Sequence, residues 1–585
     1  MTPQQRQFAR IAPMRAKVVF FGLLAMGLFL SWRLYDVQVL RGPVLAKEAL
    51  AQRSDALDIF ARRGSIVDRD DNVLVRSLPS QSVYAVPHDL ADPDAAVAAL
   101  AKIFGKLDPD TVAALHDKAM WFVWIARKVP YEQAQRVKAL GIAAVQLKGE
   151  DTGKRVDSVG RMASTVIGFV GTDENGLDGI EYAFDGQLKG TTGKELLETD
   201  NLGHPIPLGH DTIVKPAIQG LTLQLSLDSY LQFVTEQALE KQVRDYHALS
   251  GTAIVMDPWT GEVLALANAP DFDPNAFWKY GDAQRRDRAV MDAYEPGSTY
   301  KLVTAAAALE SGKVTLGMTF PARDRLEVGG HIIHNAEDGF MAGTGGSETL
   351  EQIIEYSHNV GAAEVGMYTG TRAFYAMEKR AGFGTPTRIG LPGENPGIVP
   401  DPKDWSDSSL ATMSFGQGVS VTPIAMARFY CAIANGGMLL RPRIVRAIED
   451  GEGDVLYRYG PEIERRVFSE KTAATLRKFL RTVVLSGTGN PSAQVPGYTT
   501  AGKTGTAQMV GTYGYESGAY VASFIGMVPY EHPRYVIYVK VERPVGAIYG
   551  GVVAAPAFAT IARRAMLHAG ILPAPSSASR TKAGR

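Results

Sequence analysis

The longest uninterrupted apolar stretch of the chain lies near its amino terminus. Residues 18–32 carry no charge, whereas residues 1–17 hold four cationic side chains and no acidic one. Fifteen helical residues span ~22 Å, short of the roughly 30 Å hydrocarbon core of a bilayer. Lys17 and Arg33 can extend towards the membrane surfaces, and the apolar residues 34–35 lengthen the stretch. The pattern therefore predicts one membrane-spanning helix.

A cleaved signal peptide would show a similar charge pattern and apolar run. However, bulky residues follow the run at positions 33–35, and no small-residue cleavage site is present there. We therefore predict a cytoplasmic tail over residues 1–17 and an uncleaved anchor over residues 18–35. Because cationic residues favour the cytoplasmic side, everything after about residue 40 is expected outside the cytoplasmic membrane.

Residues 45–215 alternate between short helical and short extended patterns, and they are predicted to form one elongated amino-terminal module. Asp-Pro-Asp at positions 92–94 and 108–110 is typical of helix starts with proline in the first turn. A third helix is predicted over residues 130–141 and a strand over residues 121–125. Trp121 and Trp124 are expected in the core of this module rather than in a platform that binds glycans.

From about residue 220 the pattern indicates a larger α/β domain, expected over residues 220–570. Leucines alternate from Leu221 to Leu227, which predicts a strand that then turns helical. Five further strands are predicted over residues 251–257, 261–268, 498–509, 519–528 and 534–542. The first two form a hairpin, and the segment before the last three is rich in helices and loops. An antiparallel sheet with a helical insertion follows, and residues 571–585 are predicted to be a disordered tail.

Composition narrows the possible functions. The 585 residues include 61 Lys+Arg and 62 Asp+Glu, so the chain has no excess of positive charge that would attract the phosphate backbone of nucleic acid. The mean hydropathy of −0.06 excludes a protein with many membrane spans. The single cysteine, Cys431, excludes internal disulfides and CxxC sites, and its helical, apolar context predicts a buried thiol.

The first motif with chemical potential is Ser298-Thr299-Tyr300-Lys301, which follows Glu-Pro-Gly and precedes an apolar helix. On a helix, side chains at i and i+3 share a face, so Ser298 and Lys301 are expected to meet. A serine hydroxyl becomes a strong nucleophile when a neighbouring base removes its proton. Lys301 can be that base if burial or a like charge lowers its pKa.

Two further motifs follow in the chain. A helical run ends at Ser357-His358-Asn359. Ser357 can relay a proton, and Asn359 can form hydrogen bonds with a substrate amide and with Lys301. Lys503-Thr504-Gly505-Thr506 lies in a predicted strand, where glycine permits close approach of another backbone. An extended peptide could add to this edge. Each short motif taken alone is also compatible with an ordinary helix or strand end.

Residues 497–504 also satisfy the P-loop pattern GxxxxGK[ST]. A P-loop is rejected because a loop precedes the first glycine and an extended segment follows Lys503. His331 and His334, with Glu337 and Asp338, resemble a metal-binding set only weakly, since their spacing lacks a helical HExxH. We expect a surface or active-site-rim loop there, with no metal and no cofactor. The His358 side chain is expected to point away from Ser357 and Asn359.

The order SxxK, SxN and KTG is the set found in penicillin-binding proteins and serine β-lactamases. The chain resembles the monofunctional class B penicillin-binding proteins over nearly its whole length. The RGSIVDR run at 63–69, the GFVG run at 168–171 and the FGQG run at 415–418 add to the resemblance. The cell-division (FtsI) type fits better than the elongation type.

This resemblance implies an α/β (α+β) transpeptidase domain behind a pedestal or dimerisation-type module, and a role in septal peptidoglycan cross-linking. Ser298, Lys301, Ser357 and Asn359 would be catalytic. Lys503, Thr504, Gly505 and Thr506 would bind the substrate. The implied partners are D-Ala-D-Ala stem peptides, an amine acceptor, β-lactams, a membrane glycosyltransferase and division proteins. The implied location is the inner membrane, with a periplasmic catalytic domain. D,D-carboxypeptidase, β-lactamase and non-catalytic scaffold or sensor functions stay open as alternatives.

Overall fold

The computed structural model describes residues 3–59, 61–198, 212–336, 346–511 and 514–575. Most of the predicted tail, residues 576–585, lies outside these ranges. The chain forms two units, one of residues 1–61 with 191–218 and one of residues 62–190 with 219–585.

The smaller unit contains the predicted membrane anchor. A helix runs over Pro3–Tyr35, continues through a π-helical turn at Asp36–Leu40 and is followed by the helix Gly42–Arg53. The segment Pro13–Leu40 is long and apolar enough to cross a membrane, and its apolar 18-residue stretch has no buried residue. The unit also has a three-stranded antiparallel sheet in the order Ser54–Ile59, Gly193–Glu198 and Thr212–Lys215.

The larger unit begins with a sheet that joins segments distant in sequence. Its strands are Val455–Arg458, Val445–Glu449, Thr222–Leu225, Ile66–Val67, Val73–Ala85 and Val123–Val129, in that order, with Val145–Asp157 also paired to Val73–Ala85. The predicted strand with alternating leucines belongs to this sheet: Leu223 and Leu225 are fully buried. Ile66–Val67 runs parallel to Thr222–Leu225, and the other pairs are antiparallel.

The three predicted helices beside this sheet are confirmed as Pro93–Phe104, Pro109–His116 and Tyr131–Lys138. Asp92 and Asp108 cap the first two by accepting hydrogen bonds from backbone N–H groups. The core position expected for Trp121 is wrong, because this side chain is 63% exposed and stacks on His88. Trp121 precedes the strand and lies in a loop, so strand pairing does not turn it inward. Trp124, within the strand, is half-buried.

The predicted five-stranded antiparallel sheet is confirmed. Its order is Val263–Ala269, Ser250–Met256, Tyr535–Glu542, Gly514–Val528 and Ala501–Gly511. Side chains alternate between two cores: Ile254 packs with one cluster, and Val255 packs with another. Helices Ser229–Asp245 and Ala555–His568 contribute to the second cluster. Because both faces are covered, the central strands consist almost entirely of buried residues.

The long insertion between the second and third strands in sequence supplies most of the remaining helices. These are Asp282–Arg285, Arg288–Met291, Lys301–Glu310, Leu350–Glu355, Asn359–Thr369, Thr371–Arg380, Ser409–Met413, Pro423–Ala434 and Glu470–Leu485. Short helices elsewhere in the unit are Ser164–Ile167, Gly179–Ala183, Asp185–Leu188 and Gly550–Val553. Three two-stranded sheets pair Thr319–Pro321 with Ser347–Thr349, Arg325–Val328 with His331–His334, and Met438–Leu440 with Ile463–Arg466. Cys431 is buried in the helix Pro423–Ala434, as predicted.

Candidate active site

Ser298 lies in a 3₁₀ turn, Gly297–Tyr300, that leads directly into the helix Lys301–Glu310. Side chains at i and i+3 eclipse in a 3₁₀ turn, so Ser298 and Lys301 occupy the same face. The phenol of Tyr430 donates a hydrogen bond to the Thr299 carbonyl at 2.9 Å, which holds the turn from below. Ser298 itself is half-buried, whereas its neighbours in the turn are buried.

Lys301 is fully buried and has oxygen atoms around its amine. Its Nζ donates to the Ser357 carbonyl and to Asn359 Oδ1, the latter at 2.8 Å, and lies 3.3 Å from Ser357 Oγ. Burial, and then the charge of Lys503, lower the pKa of Lys301 well below its usual value. A neutral amine has two N–H donors and one lone pair. The two carbonyl oxygens can therefore take both donors, which leaves the lone pair available to accept a proton.

Ser357 adopts a left-handed backbone conformation with a φ of +61°. It follows the helix Leu350–Glu355, and the next N–H, that of His358, donates to the Ile353 carbonyl at 3.1 Å. This six-to-one bond is the Schellman pattern of helix ends, in which glycine usually holds the left-handed position. A non-glycine residue there costs about 1–2 kcal/mol. The strained turn places Ser357 Oγ between the amines of Lys301 and Lys503.

Asn359 opens the helix Asn359–Thr369, and its amide orientation is set by a neighbouring hairpin. Nδ2 donates to the His334 carbonyl at 2.9 Å, so Oδ1 faces Lys301. Asn335 Oδ1 accepts from the backbone N–H groups of Asn359 and Val360, at 2.9 and 3.1 Å, and caps this helix. Sequence reasoning missed Asn335, because a cap supplied from 24 residues away has no local pattern.

The hairpin that includes His331 and His334 lies at the rim of this site, as expected, and contributes a backbone carbonyl. Glu337 and Asp338 lie outside the described residues. Within the described part of the chain, no group of three His, Cys, Asp or Glu side chains could hold a metal ion. The His358 ring pairs through Nδ1 with the buried carboxylate of Glu348.

Lys503 and Thr504 belong to the edge strand Ala501–Gly511, which pairs within the sheet with Gly514–Val528. Lys503 is fully buried, and its Nζ donates to Ser357 Oγ at 2.9 Å and to the Thr504 carbonyl at 3.2 Å. Burial lowers the pKa of Lys503 to about 7. Thr504 Oγ1 lies 2.7 Å from Thr488 Oγ1, a partner that sequence reasoning missed. The strand continues past Lys503 without opening a helix, which agrees with the rejection of a P-loop.

Two glycines allow the nucleophile turn to pack against this strand. A Cβ added at Gly505 would lie 2.3 Å from Ser523 Oγ and 3.0 Å from Thr299 Cγ2. A Cβ added at Gly297, whose φ is +55°, would lie 3.0 Å from the Thr506 carbonyl oxygen. The turn that holds Ser298 therefore lies against the Gly505–Thr506 segment. The structure thus brings all three predicted motifs into one site.

Glu295, three residues before Ser298, joins the turn to two other elements. It accepts hydrogen bonds from the Gly418 N–H at 2.8 Å and from the Tyr515 phenol at 2.9 Å. Burial raises the pKa of the Glu295 carboxyl. This contact was also missed, because its partners lie more than 120 residues further along the chain.

Comparisons with known proteins agree with this geometry. The profile of the penicillin binding protein transpeptidase domain matches residues 251–563, and that of the penicillin-binding protein dimerisation domain matches residues 58–225. Stage V sporulation protein D of Bacillus subtilis is 34% identical, covering 95% of this chain and 86% of its own. Peptidoglycan D,D-transpeptidase FtsI of Escherichia coli is 31% identical, covering 92% and 89%. The aztreonam complex of penicillin binding protein 3 from Mycobacterium tuberculosis has a TM-score of 0.68 at 30% identity, covering 89% of this chain and 98% of that chain.

Proposed function

The chain belongs to the class B penicillin-binding proteins, and from this premise we propose that it cross-links peptidoglycan stem peptides through an acyl-enzyme on Ser298. The protein is a serine-type peptidoglycan D,D-transpeptidase. One observation supports the residue assignment above all. Two fully buried lysines, Lys301 and Lys503, converge on the hydroxyl of Ser357, beside the strand against which the Ser298 turn packs.

In the first step, the neutral amine of Lys301 takes the proton of Ser298 as Oγ attacks the carbonyl carbon of the penultimate D-alanine. The backbone N–H groups of Ser298 and Thr506 hold the oxyanion that forms. Meanwhile the terminal carboxylate of the donor peptide binds the ammonium of Lys503 and the hydroxyls of Thr504 and Thr506. The peptide lies along the outer edge of the strand Ala501–Gly511 and adds to the sheet there.

The tetrahedral intermediate collapses when its C–N bond breaks. The leaving nitrogen of D-alanine needs a proton, and Ser357 Oγ can pass one from the Lys301 ammonium because it lies 3.3 Å from that amine. Asn359 keeps Lys301 in place and can hold the donor amide. The amine of a second stem peptide then attacks the ester, loses its proton to Lys301 and releases Ser298.

Intact mass spectrometry after incubation with benzylpenicillin tests the nucleophile. We expect one adduct with the mass of the intact β-lactam on the wild type and none on Ser298→Ala. Ser311→Ala, an exposed serine that caps the end of the helix Lys301–Glu310, is the matched control and keeps the adduct. An adduct that persists in Ser298→Ala would overturn the assignment. Rapid hydrolysis of the wild-type adduct would favour a β-lactamase or carboxypeptidase, with water as acceptor.

We further propose a role in septal synthesis, with the amino terminus in the cytoplasm and the catalytic domain outside the cytoplasmic membrane. Support comes from the cationic residues before the anchor and from the FtsI likeness. A fluorescent fusion should concentrate at division sites, and uniform lateral labelling would favour the elongation type. If Ser298→Ala complements loss of the gene, a scaffold role with other division proteins or a membrane glycosyltransferase is the essential one.

A further inference from the structure

A buried histidine and a buried glutamate adjoin the second motif of the site. Nδ1 of His358 pairs with a carboxylate oxygen of Glu348, and the two side chains are 6% and 2% exposed. In the chain, His358 lies between Ser357 and Asn359. Oxygen atoms of both these neighbours accept hydrogen bonds from the Lys301 amine. The acyl transfer described above uses neither member of the pair, although a carboxylate is costly to bury unless it is paired.

The pair joins the two ends of the helix Leu350–Glu355. Glu348 lies in the short strand that leads into this helix, and His358 follows the end of the helix. The backbone N–H of His358 donates to the Ile353 carbonyl at 3.1 Å. Backbone and ring of this histidine are thus both tied to the residues on either side of the turn. The pair therefore helps to fix the left-handed turn at Ser357.

The carboxylate also lies against the first turn of the next helix, Asn359–Thr369. A Cβ added at Gly361 would lie 2.4 Å from Glu348 Oε1, so glycine leaves room for the carboxylate there. The N–H groups in the first turn of a helix carry a partial positive charge, which favours a nearby carboxylate over the neutral acid. These surroundings favour an ionised Glu348.

The charge of Glu348 acts on the general base. Burial lowers the pKa of Lys301, the charge of Lys503 lowers it further, and the charge of Glu348 raises it. Since the base must be neutral to take a proton, an uncompensated carboxylate at position 348 would oppose the reaction. A positive charge on the His358 ring would cancel it, and an adjacent carboxylate favours the charged form of an imidazole.

The elements packed around the pair carry other titratable groups. Arg323 lies 3.8 Å from Glu364, and Lys478 lies 2.9 Å from Glu351, so these two carboxylates have cationic partners. The Tyr356 ring stacks on that of His358, with centroids 5.9 Å apart. All these groups stay the same in the comparisons below, together with those of the helix Leu350–Glu355 and the neighbouring hairpin: Glu355, His331 and His334.

We propose that His358 is a positioning residue for the acyl transfer. As an imidazolium paired with Glu348, it holds the turn at Ser357 and cancels a carboxylate charge that would otherwise keep Lys301 protonated. The histidine itself exchanges no proton with the substrate. This inference rests on the proposed function, because it concerns the base that activates Ser298.

Acylation by the methyl ester of benzylpenicillin tests the proposal. The ester lacks the carboxylate that Lys503 binds, so its pH profile reports on Lys301. Rate constants are measured by intact mass on the detergent-solubilised full chain. In His358→Asn, a neutral side chain leaves Glu348 uncompensated, so the midpoint of the acid limb should rise by about one pH unit. At a given pH on that limb, acylation should be about tenfold slower than in the wild type, and above neutral pH within about threefold of it.

A second neutral variant, His358→Gln, should behave in the same way. Glu348→Gln should not raise the midpoint, and the double variant with His358→Asn should return it to within about 0.3 pH units of the wild type, because both charges are then absent. His568→Asn is the matched control: it removes the same ring from a pair with Asp228, 3.0 Å away, and should leave the midpoint unchanged.

Three results would overturn the proposal. They are an unchanged midpoint in both His358 variants, an equal loss of rate at every pH, which is the mark of a purely structural role, and no recovery in the double variant. An unchanged midpoint in His358→Asn with a lower one in Glu348→Gln would mean that the ring is neutral, which also refutes it. If the wild type forms no adduct on Ser298, the proposed function itself fails, and this inference fails with it.

Discussion

The protonation states of Lys301 and Lys503 predict the pH dependence of acylation by benzylpenicillin. The reaction requires a neutral amine at Lys301, to take the Ser298 proton, and a charged one at Lys503, to bind the carboxylate. Burial lowers the pKa of both lysines, and the charge of Lys503 lowers that of Lys301 further. In the active form, Lys503 is therefore charged and Lys301 is neutral. The second-order rate constant of acylation should follow a bell-shaped curve against pH.

The pKa of Lys503 sets how far the acylation rate constant decreases on the alkaline side of this curve. With the pKa of Lys503 at about 7 in the free enzyme, the charged fraction is about half at pH 7 and falls roughly tenfold per pH unit above it. Each tenfold loss is ~1.4 kcal/mol of carboxylate binding. The charged fraction falls to about one hundredth at pH 9, so the rate constant should decrease about fiftyfold from pH 7 to pH 9. Stopped-flow or quenched-flow acylation with mass detection, at sub-saturating benzylpenicillin, measures it.

The methyl ester of benzylpenicillin provides the control, because it lacks the carboxylate. It should react slowly, and its rate should not decline above pH 7, since the neutral fraction of Lys301 only rises with pH. If the acid shows no decline up to pH 9, or if the ester declines in parallel, then Lys503 does not bind the carboxylate as a titrating cation.

Three further predictions concern the site and its support. Ser357→Gly and Ser357→Ala should both slow acylation. In urea unfolding, Ser357→Gly should be more stable than Ser357→Ala by about 1 kcal/mol, because glycine fits the left-handed backbone. Equal stabilities of the two variants would contradict backbone strain at Ser357. Glu181→Gln should destabilise the larger unit by about 3–5 kcal/mol, since this carboxylate pairs with two buried arginines. Asp282→Asn, which removes the charge of an exposed ion pair, should change the stability by under about 1 kcal/mol in the same assay. Burial raises the pKa of the Cys431 thiol, so a thiol reagent should label it only as urea unfolds the chain, and rapid labelling of the native protein would contradict its burial.

The strands of the five-stranded sheet could be predicted because each contains a run rich in apolar or β-branched residues. Their order could not, since the pairing of Ser250–Met256 with Tyr535–Glu542 joins segments almost three hundred residues apart. The short strands of the seven-stranded sheet were missed for a related reason. Strands as short as Ile66–Val67 and Val445–Glu449 carry too few residues for a period to show, and their partners fix them.

The motif residues could be predicted because spacing and residue type carry the chemistry of Ser298 and Lys301. The residues that hold these side chains in place could not be predicted. Asn335 caps a helix that begins 24 residues later, and Glu295 accepts a hydrogen bond from Gly418, more than 120 residues away. Nothing in the sequence shows that Ser357 adopts a left-handed backbone, because serine rarely does so and the Schellman bond to Ile353 is made only in the folded chain.

Among the described residues of the larger unit, three lysines are fully buried, and their comparison explains why two of them suit catalysis. Lys540 donates to the carboxylate of Glu542 at 2.6 Å, so its ammonium has a counter-charge. The hydrogen-bond acceptors of Lys301 and Lys503 are carbonyl and hydroxyl oxygens, which hold an amine in place without neutralising an ammonium. Burial therefore works against the charged form at these two positions and leaves each amine ready to exchange a proton or to receive a carboxylate. Burying these two amines without a counter-charge lowers the stability of the fold, and contacts elsewhere compensate for it. The same burial makes Lys301 a base and lets Lys503 bind the carboxylate of the substrate.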